Sequence, residues 1–281
     1  MASFSNPDEF GKQIIQINSP DGGIARISQY GAHVLSWVIP DGRECLFLSP
    51  NAEYRAGAAI RGGVPVIFPQ FAGLGSLPKH GFARTQTWEL ARSTAESAVF
   101  WLSDSSDSLN IWPYHFLAEY TIRIGKSKLE MALSIINTDP APFTFTAALH
   151  TYLRVPDIAN TAVSGLEGTT YRDSANGGVE REEDSEQVIF EGEVDRIYLD
   201  TPSVLELVAG NMGPAGQLLS ILSDGFRDTV IWNPGPEKCV QLGDMKPDGY
   251  REFVCVEAAA VGRQIRLAPG ESWAGKQILS L

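Results

Sequence analysis

The chain has 281 residues, 43% of them hydrophobic and 20% charged, with a formal net charge of −12. Such a surface repels nucleic acid and anionic lipid, so neither is expected as a partner, and any anion site has to be a local basic cluster. Cys45, Cys239 and Cys255 are odd in number and show no CxxC or Cys/His ligand spacing, which points away from a disulfide framework and from a zinc site. The first eleven residues lack the basic stretch and apolar run of a secretory signal, and no segment approaches the ~20 apolar residues of a membrane helix. The expected location is therefore the cytoplasm.

Taken in chain order, short runs at 13–18, 24–30, 33–39 and 98–102 read as strands. Phe116, Ala118, Tyr120, Ile122 and Ile124 then alternate with Leu117, Glu119, Thr121 and Arg123. Leu129, Met131, Leu133 and Ile135 do the same after the hairpin loop Gly125-Lys126-Ser127, so both runs are half-buried strands. Further runs lie at 143–153, 204–208, 218–222, 229–232, 253–258 and 264–267. The 27 glycines and 17 prolines fall largely between them as turn residues. Phe68 to Arg84 reads as a long ordered loop, and Glu167 to Gln187, with Asp184 and four glutamates after Gly178, as a solvated excursion. Many strands, few helical stripes and no linker or repeat predict an all-β protein, a large antiparallel β-sandwich forming one domain over residues 1–281.

Three features could carry chemistry. In the run from Phe143 to His150, Phe143, Phe145, Ala147 and Leu149 take one face, and Thr144, Thr146, Ala148 and His150 the other. The second face is small and partly polar, leaving open space beside an imidazole, although a surface or hydrogen-bonded core histidine fits the same strand. Glu257 sits in Phe253-Val254-Cys255-Val256-Glu257-Ala258-Ala259-Ala260-Val261, apolar on both faces, where Cys255 reads as a small core residue. A carboxylate buried there has to be hydrogen-bonded or paired, and desolvation raises its pKa toward the range of a general base, although a structural ion pair satisfies the same pattern. Third, Arg61, Lys79, His80 and Arg84 fall in a stretch with no acidic residue between Glu53 and Glu89, the local basic cluster an anion site needs.

The paired strings Ile60-Arg61-Gly62-Gly63-Val64-Pro65 and Lys79-His80-Gly81-Phe82-Ala83-Arg84 resemble the aldose 1-epimerase superfamily, in particular its hexose-6-phosphate mutarotases. Leu149-His150-Thr151-Tyr152, Val194-Asp195-Arg196-Ile197-Tyr198, Ile231-Trp232-Asn233-Pro234 and Val254-Cys255-Val256-Glu257 follow in the family's order, so the resemblance runs from about Ser19 to Trp273. It implies a galactose mutarotase-like supersandwich with a shallow cleft. It also implies Glu257 as general base, His150 as general acid, and Arg61, Arg84 and Asp195 as substrate-binding residues. Lys79 stands where the family more often has Gln, and Gly235 where an aromatic residue is common. His80 is either a hydrogen-bond donor to the sugar or structural.

The implied reaction is opening of the sugar ring to the free aldehyde, rotation about C1–C2 and reclosure as the other anomer, with no metal or nucleotide cofactor. The substrate implied is a sugar phosphate, its 6-phosphate held by Arg61, Arg84 and Lys79, and a monomer is the default. An epimerase of unphosphorylated hexoses and a non-catalytic sugar-phosphate binder remain alternatives at this point.

Overall fold

A computed structural model of the chain describes residues 3–5, 14–209 and 217–281, with the side chains of 3–5 and 217 left aside. Strands β1 (Ser3–Ser5), β2 (Ile14–Asn18), β3 (Ile24–Ser28) and β4 (His33–Val38) form a four-stranded antiparallel sheet in that order. Next come β5 (Val66–Ile67), β6 (Glu89–Ser93), β7 (Ser97–Ser103), β8 (Phe116–Gly125), β9 (Lys128–Asn137), β10 (Phe143–Leu149) and β11 (Tyr152–Arg154). They are followed by β12 (Thr161–Ser164), β13 (Thr170–Asp173), β14 (Val179–Glu182), β15 (Gln187–Val188), β16 (Val194–Tyr198) and β17 (Val204–Ala209). The last four are β18 (Gln217–Asp224), β19 (Asp228–Asn233), β20 (Phe253–Leu267) and β21 (Ser272–Ser280). The only α-helices among the described residues are short, α1 (Ser106–Ile111) and α2 (Gly235–Cys239). None is long and apolar enough to cross a membrane.

Two larger antiparallel sheets build the sandwich. One has eight strands in the order β14-β13-β16-β19-β20-β10-β5, with β11 also on β20; the other has nine, in the order β15-β12-β17-β18-β21-β9-β8-β7-β6. The main core lies between them, drawing Phe145, Ala147, Leu149, Val254, Val256 and Ala258 from the first and Leu129, Met131, Leu133, Tyr120, Leu207 and Ile221 from the second. The period-two patterns of β8 and β9 are the cause: alternate residues bury and the rest face outward.

The structure corrects three local readings. The run 143–153 is two strands broken at His150-Thr151, and the runs 253–258 and 264–267 are one 15-residue strand. Residue 13 lies outside the described residues. The stretch 167–187 is no mere excursion: β13 and β14 extend the eight-stranded sheet, and Tyr171, Asp173 and Glu183 are buried. Glu183 accepts hydrogen bonds from Arg196 (2.9 Å) and from the Tyr198 hydroxyl (2.7 Å), so part of the acidic run is an internal partner for β16. Composition alone gave that stretch no face to bury.

Candidate active site

The cleft lies on the outer face of the eight-stranded sheet, and strand register writes its floor. On β10, β11 and β20, Leu149 pairs with Ala258 and Tyr152 with Cys255, so His150 stands across from Glu257. On β19 and β16, Val230 pairs with Glu257 and Ile197, while Trp232 pairs with Cys255 and Asp195. Side chains of like parity share a face. One row therefore runs Ile197–Val230–Glu257–His150, and the next runs Asp195–Trp232–Cys255–Tyr152.

His150 and Glu257 are buried, at 7% and 1% exposure, with His150 Nδ1 3.3 Å from Glu257 Oε1. The alignment is too poor for a hydrogen bond, and both His150 Nδ1 and Glu257 Oε2 lack a partner. Burial pushes the Glu257 carboxyl well above its ordinary range, Asp195 adds to this, and Arg84 opposes it. Burial pushes the His150 imidazole well down, helped by His80, Arg84 and Arg61. Its ring stacks on Tyr152 at 4.8 Å and 8°, with Trp232 edge-on to both. Behind it the chain is pinned across the sandwich: Thr151 Oγ1 donates to Gln277 Oε1, and Gln277 Nε2 donates to the Val256 carbonyl (3.0 Å).

Arg61 reaches the cleft because the next two residues are glycines. Gly62 and Gly63 have φ of 105° and 60°, and a Cβ on either would lie 2.4 Å from Phe47 O or 2.3 Å from Val34 O. His33 Nε2 donates to Gly62 O (2.8 Å) from complete burial, which drops its pKa to about 4. The unfolded chain, near 6.5, binds that proton more readily, so stability falls as pH drops from 6.5 to about 4. His33→Gln, followed by thermal denaturation against pH, should lose up to about 1.4 kcal/mol per pH unit of that acid slope. An unchanged slope would mean that this histidine does not set it.

The basic residues divide by partner. Arg61 Nε donates to Asp244 (3.1 Å) and its NH1 to the Tyr152 hydroxyl (3.1 Å), and these two neighbours raise its pKa further. Arg84 donates one NH2 bond to the Lys79 carbonyl (3.1 Å), while its Nε is buried without any partner. Neither Arg84 nor Lys79 has a carboxylate in ion-pair range among the described residues, and Lys79 is exposed. His80 sits at φ 67°, against Phe71 and 5.6 Å from the His150 ring. Its Nδ1 accepts from Ala72 N–H (3.3 Å), which puts the ring proton on Nε2. Burial and the charges of Arg84, Lys79 and Arg61 lower its pKa to about 3, so it is a neutral donor.

These groups line two adjoining hollows. One, of about 440 Å³, holds Arg61, Lys79, Arg84 and the Glu53–Arg55 pair; the other, of about 270 Å³, holds Glu257, Asp195, Trp232 and Lys238. They share Arg61, Lys79, His80 and His150. A hollow of about 560 Å³ beside Phe190 and Tyr250 lies apart from the pair, and its Arg251 is already held by Asp157. All seven site residues named from the sequence line the cleft. Sequence reading missed Tyr152 as the stacking partner, Asp244 as the anchor of Arg61, and Lys238, which bonds Glu193 beside Asp195. It also missed that the fold gathers His150, Cys255 and Glu257 into one possible ligand set, since local spacing does not show residues facing across strands.

The model of the aldose 1-epimerase family matches residues 13–280. The chain belongs to the aldose 1-epimerase family. A protein of Cenchrus ciliaris provisionally named glucose-6-phosphate 1-epimerase is 35% identical over 268 residues, 91% of this chain and 80% of that one. One of Escherichia coli K12 with the same provisional name is 38% identical over 242 residues, covering 84% and 79%. A crystal structure from Salmonella typhimurium, provisionally titled a mutarotase, superposes with a TM-score of 0.85 at 30% identity, covering 96% of this chain and 90% of that one. The large antiparallel sandwich is thus an aldose 1-epimerase fold.

Proposed function

We propose that this aldose 1-epimerase interconverts the α and β anomers of a hexose 6-phosphate, glucose 6-phosphate first, by general acid–base catalysed ring opening and closure. The observation that carries it is the joining of two hollows: a facing His150–Glu257 pair in one, and in the next a half-buried Arg84 whose Nε is buried with no partner. A buried unsatisfied N–H calls for an acceptor, and a phosphate oxygen meets guanidinium geometry well. The relatives provisionally named glucose-6-phosphate 1-epimerases support the same substrate.

In this reading the pair holds one proton. At rest, burial favours a neutral carboxyl beside a neutral imidazole. At 3.3 Å a side-chain rotation that aligns the two groups lets the proton move from Glu257 to His150 without leaving the site. Glu257 then takes the anomeric hydroxyl proton as His150 gives its own to the ring oxygen. The C1–O5 bond breaks, C1 becomes the aldehyde, and rotation about C1–C2 turns its other face to the ring-forming hydroxyl. The same transfers run backward to close the ring. Asp195 and the His80 Nε2–H hold sugar hydroxyls, and Arg61, Arg84 and Lys79 hold the phosphate.

NMR exchange between glucose 6-phosphate anomers, run beside free glucose, tests this. Purified protein should speed the phosphorylated sugar far more. Equal acceleration of both would end the phosphate claim, and acceleration of neither would end the catalytic one.

A further inference from the structure

Cys255 has no part in the proton transfers above, yet it lies on the cleft face between the pair and Trp232. One imidazole nitrogen of His150, Cys255 Sγ and a Glu257 carboxylate oxygen lie within 4.8 Å of one another, all three residues buried. Two of these residues carry a buried polar atom with no hydrogen-bond partner, His150 Nδ1 and Glu257 Oε2. We propose that His150, Cys255 and Glu257 form a three-ligand site for a thiophilic divalent cation, Zn²⁺ above all, whose occupation blocks the cleft.

The donor set decides the ion. Thiolate, imidazole and carboxylate together suit zinc, at bond lengths of about 2.0–2.3 Å, whereas magnesium and calcium take oxygen ligands. Tetrahedral bonds of that length put neighbouring ligand atoms about 3.3–3.8 Å apart, so a 4.8 Å set closes by about an ångström to hold the ion. Three protein ligands leave a fourth position toward the open hollow for water or a sugar hydroxyl. Binding expels the thiol proton and the carboxyl proton to solvent, so the ion is held more tightly as pH rises. Burial holds the Cys255 thiol high, with Glu257 adding to the effect, so the metal has to displace that proton. The blocking half of the proposal rests on the reading of His150 and Glu257 as the acid–base pair; the binding half does not.

The full chain should be titrated with Zn²⁺ during anomer exchange, and with Co²⁺ by absorption. Zn²⁺ should inhibit reversibly, with chelator restoring the rate, while Mg²⁺ at the same concentration does not. Cys255→Ser and Cys255→Ala should keep the basal rate and weaken inhibition by at least about tenfold. Cys239→Ala, which removes a thiol bonded to the Lys246 carbonyl, should be inhibited like the native chain. Co²⁺ should give one equivalent with a thiolate-to-metal band, absent from both Cys255 variants. Inhibition unchanged in those variants, or cobalt bound without the band, overturns the site. The band with no loss of rate upholds the site and overturns the acid–base reading instead.

Discussion

Glu257→Gln should fold as the native chain does and lose about 10² to 10⁴ of the anomer exchange rate. Glutamine keeps the shape of the side chain and cannot accept the anomeric proton. Its stability effect has a definite sign. Burial raises the Glu257 pKa in the fold, so the native chain is most favoured below the unfolded value near 4.5 and loses stability as pH rises toward the folded value. The Gln variant has no such loss, so its melting temperature at pH 8 should equal or exceed that of the native chain. His150→Asn should cost a similar share of rate with the opposite pH signature. The folded imidazole is pushed below 6.5, so the native chain loses stability as pH falls under that value, and the variant sheds this slope. Exchange measured by NMR alongside melting curves at several pH values separates the two arms. A native rate in either variant removes that residue from the chemistry.

What was legible in the sequence was whatever repeats at short range. Alternation along Phe116–Ile124 and Leu129–Ile135 gave strands with the correct buried face, because side chains alternate across a pleated strand whatever its partner. The same rule set His150 apart from Phe145 and Leu149, and an apolar setting made Glu257 conspicuous. The ordered motifs put both in one reaction. Register stayed hidden: Glu257 faces His150 from 107 positions away, and Asp244 reaches Arg61 from 183. Periodicity names a face and never the strand beside it. Glu167 to Gln187 failed for a related reason, since Glu183 becomes internal only when β16 supplies Arg196 and Tyr198.

Arg84 should separate binding from chemistry. Its Nε is buried with no acceptor, and one NH2 bond to the Lys79 carbonyl is its only hydrogen bond among the described residues. A guanidinium held this way is costly in the free protein, and burial lowers its pKa accordingly. The cost is recovered when a dianionic phosphate accepts from it, since hydrogen bonds between charged groups contribute about 1.5–3 kcal/mol each. Arg84→Met keeps the aliphatic stem and removes the charge. Its KM for glucose 6-phosphate should rise on the order of 10²-fold, corresponding to about 3 kcal/mol. Its rate on free glucose should fall no further than its kcat does, since glucose carries no phosphate to lose, and its melting temperature should equal or exceed that of the native chain, because the costly desolvated charge is gone. Arg84 also opposes the upward shift of Glu257, so kcat should fall less than KM rises, and the acid limb of its pH profile should move upward. Steady-state exchange kinetics on the two sugars give the answer. An equal loss on glucose would make Arg84 a support of the acid–base pair, and the phosphate would then have to be held from the exposed end, by Lys79 and Arg61.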